Sequence, residues 1–178
     1  YGYKRTKENK QQLYVDEPAA EVVRKIFRLA CQGIGTSTIA EMLTEEKILI
    51  PSAYAAKTSP ENCRHKEVAD PYRWSATTVG YILDRQEYLG HTVLGKSICE
   101  NFKTKQRRAA TADELMIFPD THEAIIDQET FDLAQKVRSQ VRRYPDGWGE
   151  VAPLTGLMYC ADCGAKMYVH RTNNGKRI

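Results

Sequence analysis

The chain is predicted to adopt an α+β fold, a helix-rich domain with a small antiparallel sheet, followed by a short cysteine-bearing segment. Four stretches repeat apolar residues at helical spacing. Between them lie residues 11–16, 88–94 and 115–118, which are too short for helices and rich in β-branched or aromatic side chains. Near the end, Cys160-Ala-Asp-Cys163-Gly164 places two thiols on one tight turn. At 178 residues and 42% hydrophobic content, the chain is large enough to bury a core.

The elements follow in order. Residues 11–16 read as a strand leading into a helix capped by Asp16 or Glu17, with Pro18 in its first turn, where a missing N–H costs nothing. Val22, Val23, Ile26, Leu29 and Ala30 share one face of that helix, and Arg24, Lys25 and Arg28 the other. Gly33-Ile-Gly35 ends it. Thr36 or Ser37 then caps a second helix with Ile39, Ala40 and Leu43 inward, fading near Lys47 into a short apolar connection at 48–51. Residues 52–72 contain Pro60 and Pro71 without a usable period and are expected to form a loop.

Ser75 caps a third helix running to about Gln86. Val79, Ile82 and Leu83 face inward; Thr77, Thr78, Tyr81, Asp84 and Arg85 face out. Residues 88–94 form a strand expected to pair with 115–118, and 12–15 joins the same sheet. The basic stretch 96–110 is a long hairpin tip. Asp127 caps a last helix to about Arg143, with Phe131, Ala134, Val137 and Val141 inward. Tyr144-Pro-Asp-Gly-Trp-Gly149 has the composition of a linker. Residues 52–72 and 99–112 are expected to be the least ordered parts.

Charge is unevenly spread. Lys4, Arg5, Lys7 and Lys10 against Glu8 give residues 1–12 a local +3. Lys96, Lys103, Lys105, Arg107 and Arg108 against Glu100 give 96–108 a local +4. Lys166, Arg171, Lys176 and Arg177 give 166–178 another +4. The whole chain nets only +3, so its remainder is acidic. Cations gathered on three segments suit a polyanion such as duplex DNA, whereas scattered solvated loops would not concentrate them so. No apolar run approaches the roughly 20 residues of a membrane span.

The five cysteines are odd in number, and only Cys160 and Cys163 are paired by spacing, which fits a reducing compartment such as the cytoplasm. Cys-x-x-Cys-Gly is one knuckle of a structural zinc site, which normally takes a second pair further along. The chain opens at Tyr1 and closes at Ile178 before such a pair, so it reads as a piece of a longer protein with a zinc half-site. His170 is a weaker candidate ligand in a polar tail. Cys63 and His65 sit in a polar stretch without partners and read as solvated. A redox dithiol fits poorly, because such pairs sit at strand–helix junctions, and here a basic tail follows.

The outer face of the third helix carries short hydroxyls, Tyr81 and Arg85, groups able to donate to base edges in a major groove. Its inner stripe alone would serve a plain core helix equally well. Trp74 is better read as a core anchor than as a DNA contact, and Asp127 and His122 as a cap and a turn residue rather than an acid–base pair. No carboxylate pair, phosphate loop or nucleophile–base set is visible, so no catalytic residue is expected.

The order of the pieces is more specific than any one of them. A Tyr-Gly-Tyr start leads to Val15-Asp-Glu-Pro-Ala-Ala-Glu-Val-Val-Arg-Lys-Ile-Phe27, then to Gly33-Ile-Gly-Thr-Ser-Thr-Ile-Ala-Glu-Met-Leu43. Trp74-Ser-Ala-Thr-Thr-Val-Gly-Tyr-Ile-Leu83, Tyr88-Leu-Gly90, His122-Glu-Ala-Ile-Ile-Asp-Gln-Glu-Thr-Phe131 and Leu154-Thr-Gly-Leu-Met-Tyr-Cys160-Ala-Asp-Cys163-Gly164 follow. This resembles the large serine recombinases, the integrases and transposases of phages and mobile elements, over nearly the whole chain.

The resemblance implies an extended arm at 1–12, a DNA-binding recombinase domain at 13–143, a linker at 144–153 and a truncated zinc-ribbon start at 154–178. It implies double-stranded DNA as partner; by the helix-face and charge readings above, Thr77, Thr78, Tyr81 and Arg85 would read bases and Lys4, Arg5, Lys96, Lys103, Lys105, Arg107 and Arg108 would grip phosphates. It further implies zinc on Cys160 and Cys163 in the full-length parent, self-association of that parent as dimer and tetramer, and a site-specific role in integration, excision or transposition of mobile DNA in a bacterial or phage setting. The serine nucleophile of the family belongs to a domain that nothing here matches. A stand-alone zinc-containing DNA-binding or regulatory protein is the alternative; the sequence upstream of Tyr1 distinguishes the two.

Overall fold

The computed structural model describes residues 1–5, 12–60, 68–101, 103–140, 158–165, 167, 172–173 and 176–177. Over these residues the chain is α+β, with five α-helices and four separate two-stranded antiparallel ribbons. The ribbons pair β1 (Tyr3–Lys4) with β2 (Tyr14–Val15), β3 (Thr92–Leu94) with β6 (Met116–Phe118), β4 (Ser97–Cys99) with β5 (Arg107–Ala109), and β7 (Thr172–Asn173) with β8 (Lys176–Arg177).

Helix α1 (Glu17–Cys31) is the spine. Pro18 occupies its first turn, Glu17 and Arg28 complement the two ends of its dipole, and Ala19, Ala20, Val23, Ile26, Phe27 and Ala30 are buried. Asp16 stands at the N-cap position but caps nothing with its side chain, which instead accepts a hydrogen bond from the Tyr54 hydroxyl at 2.9 Å. The helix stops at Gly33, whose φ of 84° permits the left-handed turn. There Ile34 N–H reaches the Leu29 carbonyl and Gly33 N–H the Ala30 carbonyl, which satisfies two otherwise unpaired acceptors.

Helix α2 (Thr36–Glu45) has Gly35 at its N-cap position, where Thr36 or Ser37 was expected, and buries Ile39, Ala40 and Leu43. It ends in the same motif, closed by Ile48 N–H to Leu43 and Lys47 N–H to Thr44, but here the left-handed residue is Lys47 at φ 53°. Residues 52–58, expected as loop, instead belong to helix α3 (Pro51–Thr58). Pro51 opens it in the position where proline is tolerated, its three alanines favour helix, and buried Ala53 holds it to the core. Residues 61–67, with Cys63 and His65, lie outside the described residues.

Helix α4 (Ala76–Leu83) packs on α2, and α5 (Gln128–Gln140) packs on α1. Ser75 caps α4 as expected, its hydroxyl accepting from Thr78 N–H at 3.1 Å. Asp127 caps α5, accepting from Thr130 N–H at 2.8 Å, a bond that lowers its carboxyl pKa. The helix expected to run to Gln86 instead stops at Leu83. Residues 86–89 form a 3-10 turn (Gln86–Leu89) rather than the start of a strand, because buried Tyr88 turns its carbonyl to the N–H groups of Ile125 and Ile126.

The expected three-stranded sheet is thus two ribbons. Residues 92–94 do pair with 116–118, but Tyr14–Val15 pairs with Tyr3–Lys4, where Gly2 at φ 86° and an Asp16 N–H bond to the Gly2 carbonyl fold the start of the chain back on α1. Tyr1 lies edge-on to Tyr54 and Trp74, and Tyr3 stacks on Tyr88. Burial pushes the phenols of Tyr3 and Tyr88 up to about 12.

Candidate nucleic-acid interface

Helix α4 is held from behind on three sides. The indole N–H of Trp74, buried at 5% exposure, donates to the Ile48 carbonyl at 2.9 Å, and its main-chain N–H donates to Thr44 Oγ1 at 3.1 Å. From α5, Gln135 donates to the Leu83 carbonyl at 2.7 Å, and Arg138 pairs with Asp84 at 2.7 Å. Val79, Ile82 and Leu83 are buried underneath. What remains outward on the helix is Thr77 and Tyr81, one turn apart and exposed; Arg85, also exposed, follows two residues beyond the end of the helix in extended backbone. Tyr81 keeps 65% of its surface in solvent, the most of any large hydrophobic side chain among the described residues. Thr78 sits at the edge of this face, with its hydroxyl 2.9 Å from that of Ser75 and so engaged in the cap. Arg138 pairs with Asp84, the C-cap residue of α4, whose side chain stays 60% exposed.

The turn that follows α4 gathers two of the basic segments. The Tyr3 hydroxyl donates to the Glu123 carbonyl at 2.8 Å, with the Glu87 carbonyl 3.3 Å away; that carbonyl lies 2.9 Å from His122 Nε2, and the Glu87 carboxylate pairs with Lys96. The strand bearing Lys4 and the base of the basic hairpin are therefore both anchored two residues beyond Arg85. Lys4 is exposed, 3.9 Å from Asp16, and Arg5 is exposed beside it. Residues 6–11, with Lys7 and Lys10, lie outside the described residues.

The stretch expected as a hairpin tip is itself a hairpin, β4 and β5, in the register Ser97↔Ala109, Ile98↔Arg108 and Cys99↔Arg107. Lys103, Lys105 and Arg107 are exposed and have no ion pair among the described residues. Arg108 differs: Glu100 and Glu114 enclose it. Sequence reasoning counted Glu100 only as a charge to subtract and passed over Glu87 and Glu114. Glu87, nine residues before Lys96, and Glu114, six residues after Arg108, were the signal available.

At the cysteine turn, Gly164 at φ 67° donates its N–H to the Cys160 carbonyl at 3.0 Å, and Cys160 N–H donates to the Ala165 carbonyl at 2.8 Å. The main-chain N–H groups of Cys163 and then Asp162 point at the Cys160 sulfur and lower its thiol pKa. Such a turn suits one half of a tetrahedral thiolate site. Among the described residues no group of three or more His, Cys, Asp or Glu side chains forms a metal cluster. His170 lies outside them. No helix among the described residues is long and apolar enough to cross a membrane.

Comparison with known proteins adds the family context. A family model described as Recombinase matches residues 17–141, and one described as Recombinase zinc beta ribbon domain matches 153–178. YefB, an uncharacterised protein of Bacillus subtilis strain 168, is 27% identical over 119 residues, covering 66% of this chain and 39% of that protein. The crystal structure of an LSR–DNA complex aligns with a TM-score of 0.47 at 16% identity, over the whole of this chain and 45% of that one. This chain spans less than half the length of either.

Proposed function

Because the chain belongs to the recombinase family, that of the large serine recombinases, we propose that it is the part of a site-specific recombinase that recognises duplex DNA. One observation carries the reading: α4 is braced from α2 and α5 so that Thr77 and Tyr81 stand exposed on its free face, with exposed Arg85 just past its end and Asp84 paired to Arg138. The helix enters a major groove, and Thr77, Tyr81 and Arg85 meet base edges, with Thr78 contributing from the margin. Lys4, Arg5, Lys103, Lys105 and Arg107 contact phosphates, which orient the domain without reading sequence. Lys96 anchors the base of the hairpin through Glu87.

Strand breakage is assigned to the serine-nucleophile domain of the family plan, which this domain positions on an attachment or transposon-end site. Cys160 and Cys163 supply two of four zinc ligands in the longer protein, where the metal would fix the ribbon as a second DNA-binding unit, and that protein assembles as dimer and tetramer for strand exchange. The test is a titration of the chain against a random-sequence duplex at several salt concentrations. Affinity should fall as a power of salt, each phosphate contact adding about 0.9 to the slope. Salt-independent or absent binding overturns the reading.

A further inference from the structure

Arg108 looks like a phosphate contact in the sequence but is differently employed in the fold. Its Nε donates to Glu100 at 2.6 Å, its Nη1 and Nη2 donate to the two oxygens of Glu114 at 2.7 and 2.8 Å, and Nη1 also donates to the Ala109 carbonyl at 3.2 Å. Four of its five N–H groups are thereby used. Glu114 is held in turn by Thr111, which donates its main-chain N–H at 2.9 Å and its hydroxyl at 3.0 Å. Glu114 lies in a 3-10 turn (Ala112–Glu114) beyond β5, and Glu100 lies just beyond β4 on the other strand of the hairpin.

From this arrangement we infer that Arg108 is a positioning residue of the basic hairpin: it clamps Glu100 to Glu114 and thereby sets the path of the loop that carries Lys103 and Lys105 and leads into Arg107 at the start of β5. The inference rests on the DNA-binding reading above.

The physical case has two parts. Isolated exposed ion pairs contribute little, but a bidentate guanidinium fork within a network of three charges is the recognised exception. The same fork also removes two carboxylates from the path of a polyanion. With Arg108 free, Glu100 and Glu114 would stand uncompensated beside three cations meant for phosphate. The depressed carboxyl of Glu114, at about 2 with the Arg108 hydrogen bond as first cause, agrees with a fork that stays closed across the neutral range.

The two roles predict opposite signs. For a phosphate contact, Glu114→Gln removes a repelling charge, releases Arg108 and tightens DNA binding, while Arg108→Lys is nearly silent. For a clamp, Glu114→Gln, Arg108→Lys and Arg108→Gln each weaken binding to a random-sequence duplex by about threefold or more, because lysine cannot reproduce the fork. The salt slope should stay within about 0.3 of wild type, whereas Lys105→Ala lowers it by about 0.9. The Arg108→Gln/Glu114→Gln double variant should bind no worse than either single one.

Amide exchange gives the second measurement, independent of DNA. Thr111, Ala110 and Lys105, whose N–H groups are bonded to Glu114, Lys96 and Asn101, should exchange faster in Arg108→Gln and Glu114→Gln, with the melting temperature little changed. Tighter binding by Glu114→Gln, a slope lowered by about one unit in Arg108→Gln, or unchanged exchange would each overturn the clamp. If the wild type shows no salt-dependent binding while exchange responds as expected, the clamp stands as a hairpin device and the DNA-binding reading fails.

Discussion

The indole N–H of Trp74 donates to the Ile48 carbonyl at 2.9 Å, which ties the entry to α4 to the exit from α2. Trp74→Phe keeps most of the apolar volume but leaves that carbonyl without its partner. It should lower stability by about 1–3 kcal/mol, read by urea unfolding. It should also weaken DNA binding although Trp74 is buried, because α4 loses its orientation. Unchanged stability would mean that the bond contributes nothing net.

Gly90 sits at φ 86°, and a Cβ there would lie 2.6 Å from the His122 carbonyl oxygen. Both the backbone conformation and the space reject a side chain. Gly90→Ala should destabilise by at least about 1 kcal/mol and should loosen the turn that anchors Lys96 and Tyr3. Thermal unfolding at wild-type temperature contradicts this.

Two positions should instead respond favourably. Lys47 closes α2 in a left-handed conformation at φ 53°, so Lys47→Gly should stabilise by about 0.5–1 kcal/mol. Gly80 lies inside α4 with nothing within 4 Å of a Cβ, so Gly80→Ala should stabilise by a similar ~0.5–1 kcal/mol. Chemical denaturation of each single variant decides; a loss of stability at either site contradicts the corresponding account.

Glu114 provides a pH prediction. Its folded pKa is depressed to about 2, so the fork's contribution is complete above the unfolded carboxylate range near 4 and is lost as pH falls toward 2. Carboxyl carbon NMR should show Glu114 titrating well below the exposed glutamates, and Arg108→Gln should return it to the ordinary range. A midpoint near 4 in the wild type contradicts the closed fork.

Local signals were legible in the sequence where one residue decides. Ser75 and Asp127 are caps because their oxygens need only a main-chain N–H three residues on, and Gly33 ends α1 through its own backbone freedom. The inner stripe of α4 was equally readable. What escaped depends on distant partners. Helix α3 was hidden because only Ala53 of its residues is buried, so it has no apolar stripe to mark it. Tyr1 and Tyr3 pack into the domain against Trp74 and Tyr88, contacts more than 70 residues away in sequence. The enclosure of Arg108 depends on the β4–β5 register, which no local pattern states.

The most direct test of the central claim compares wild type and Arg85→Ala on two duplexes, one selected by the wild type from a random library and its scrambled counterpart, at several salt concentrations. If α4 reads bases, Arg85→Ala should lose about 1–3 kcal/mol on the selected duplex and little on the scrambled one, with Tyr81→Ala behaving alike. Equal weakening on both duplexes, or none on either, would contradict α4 as the reading helix.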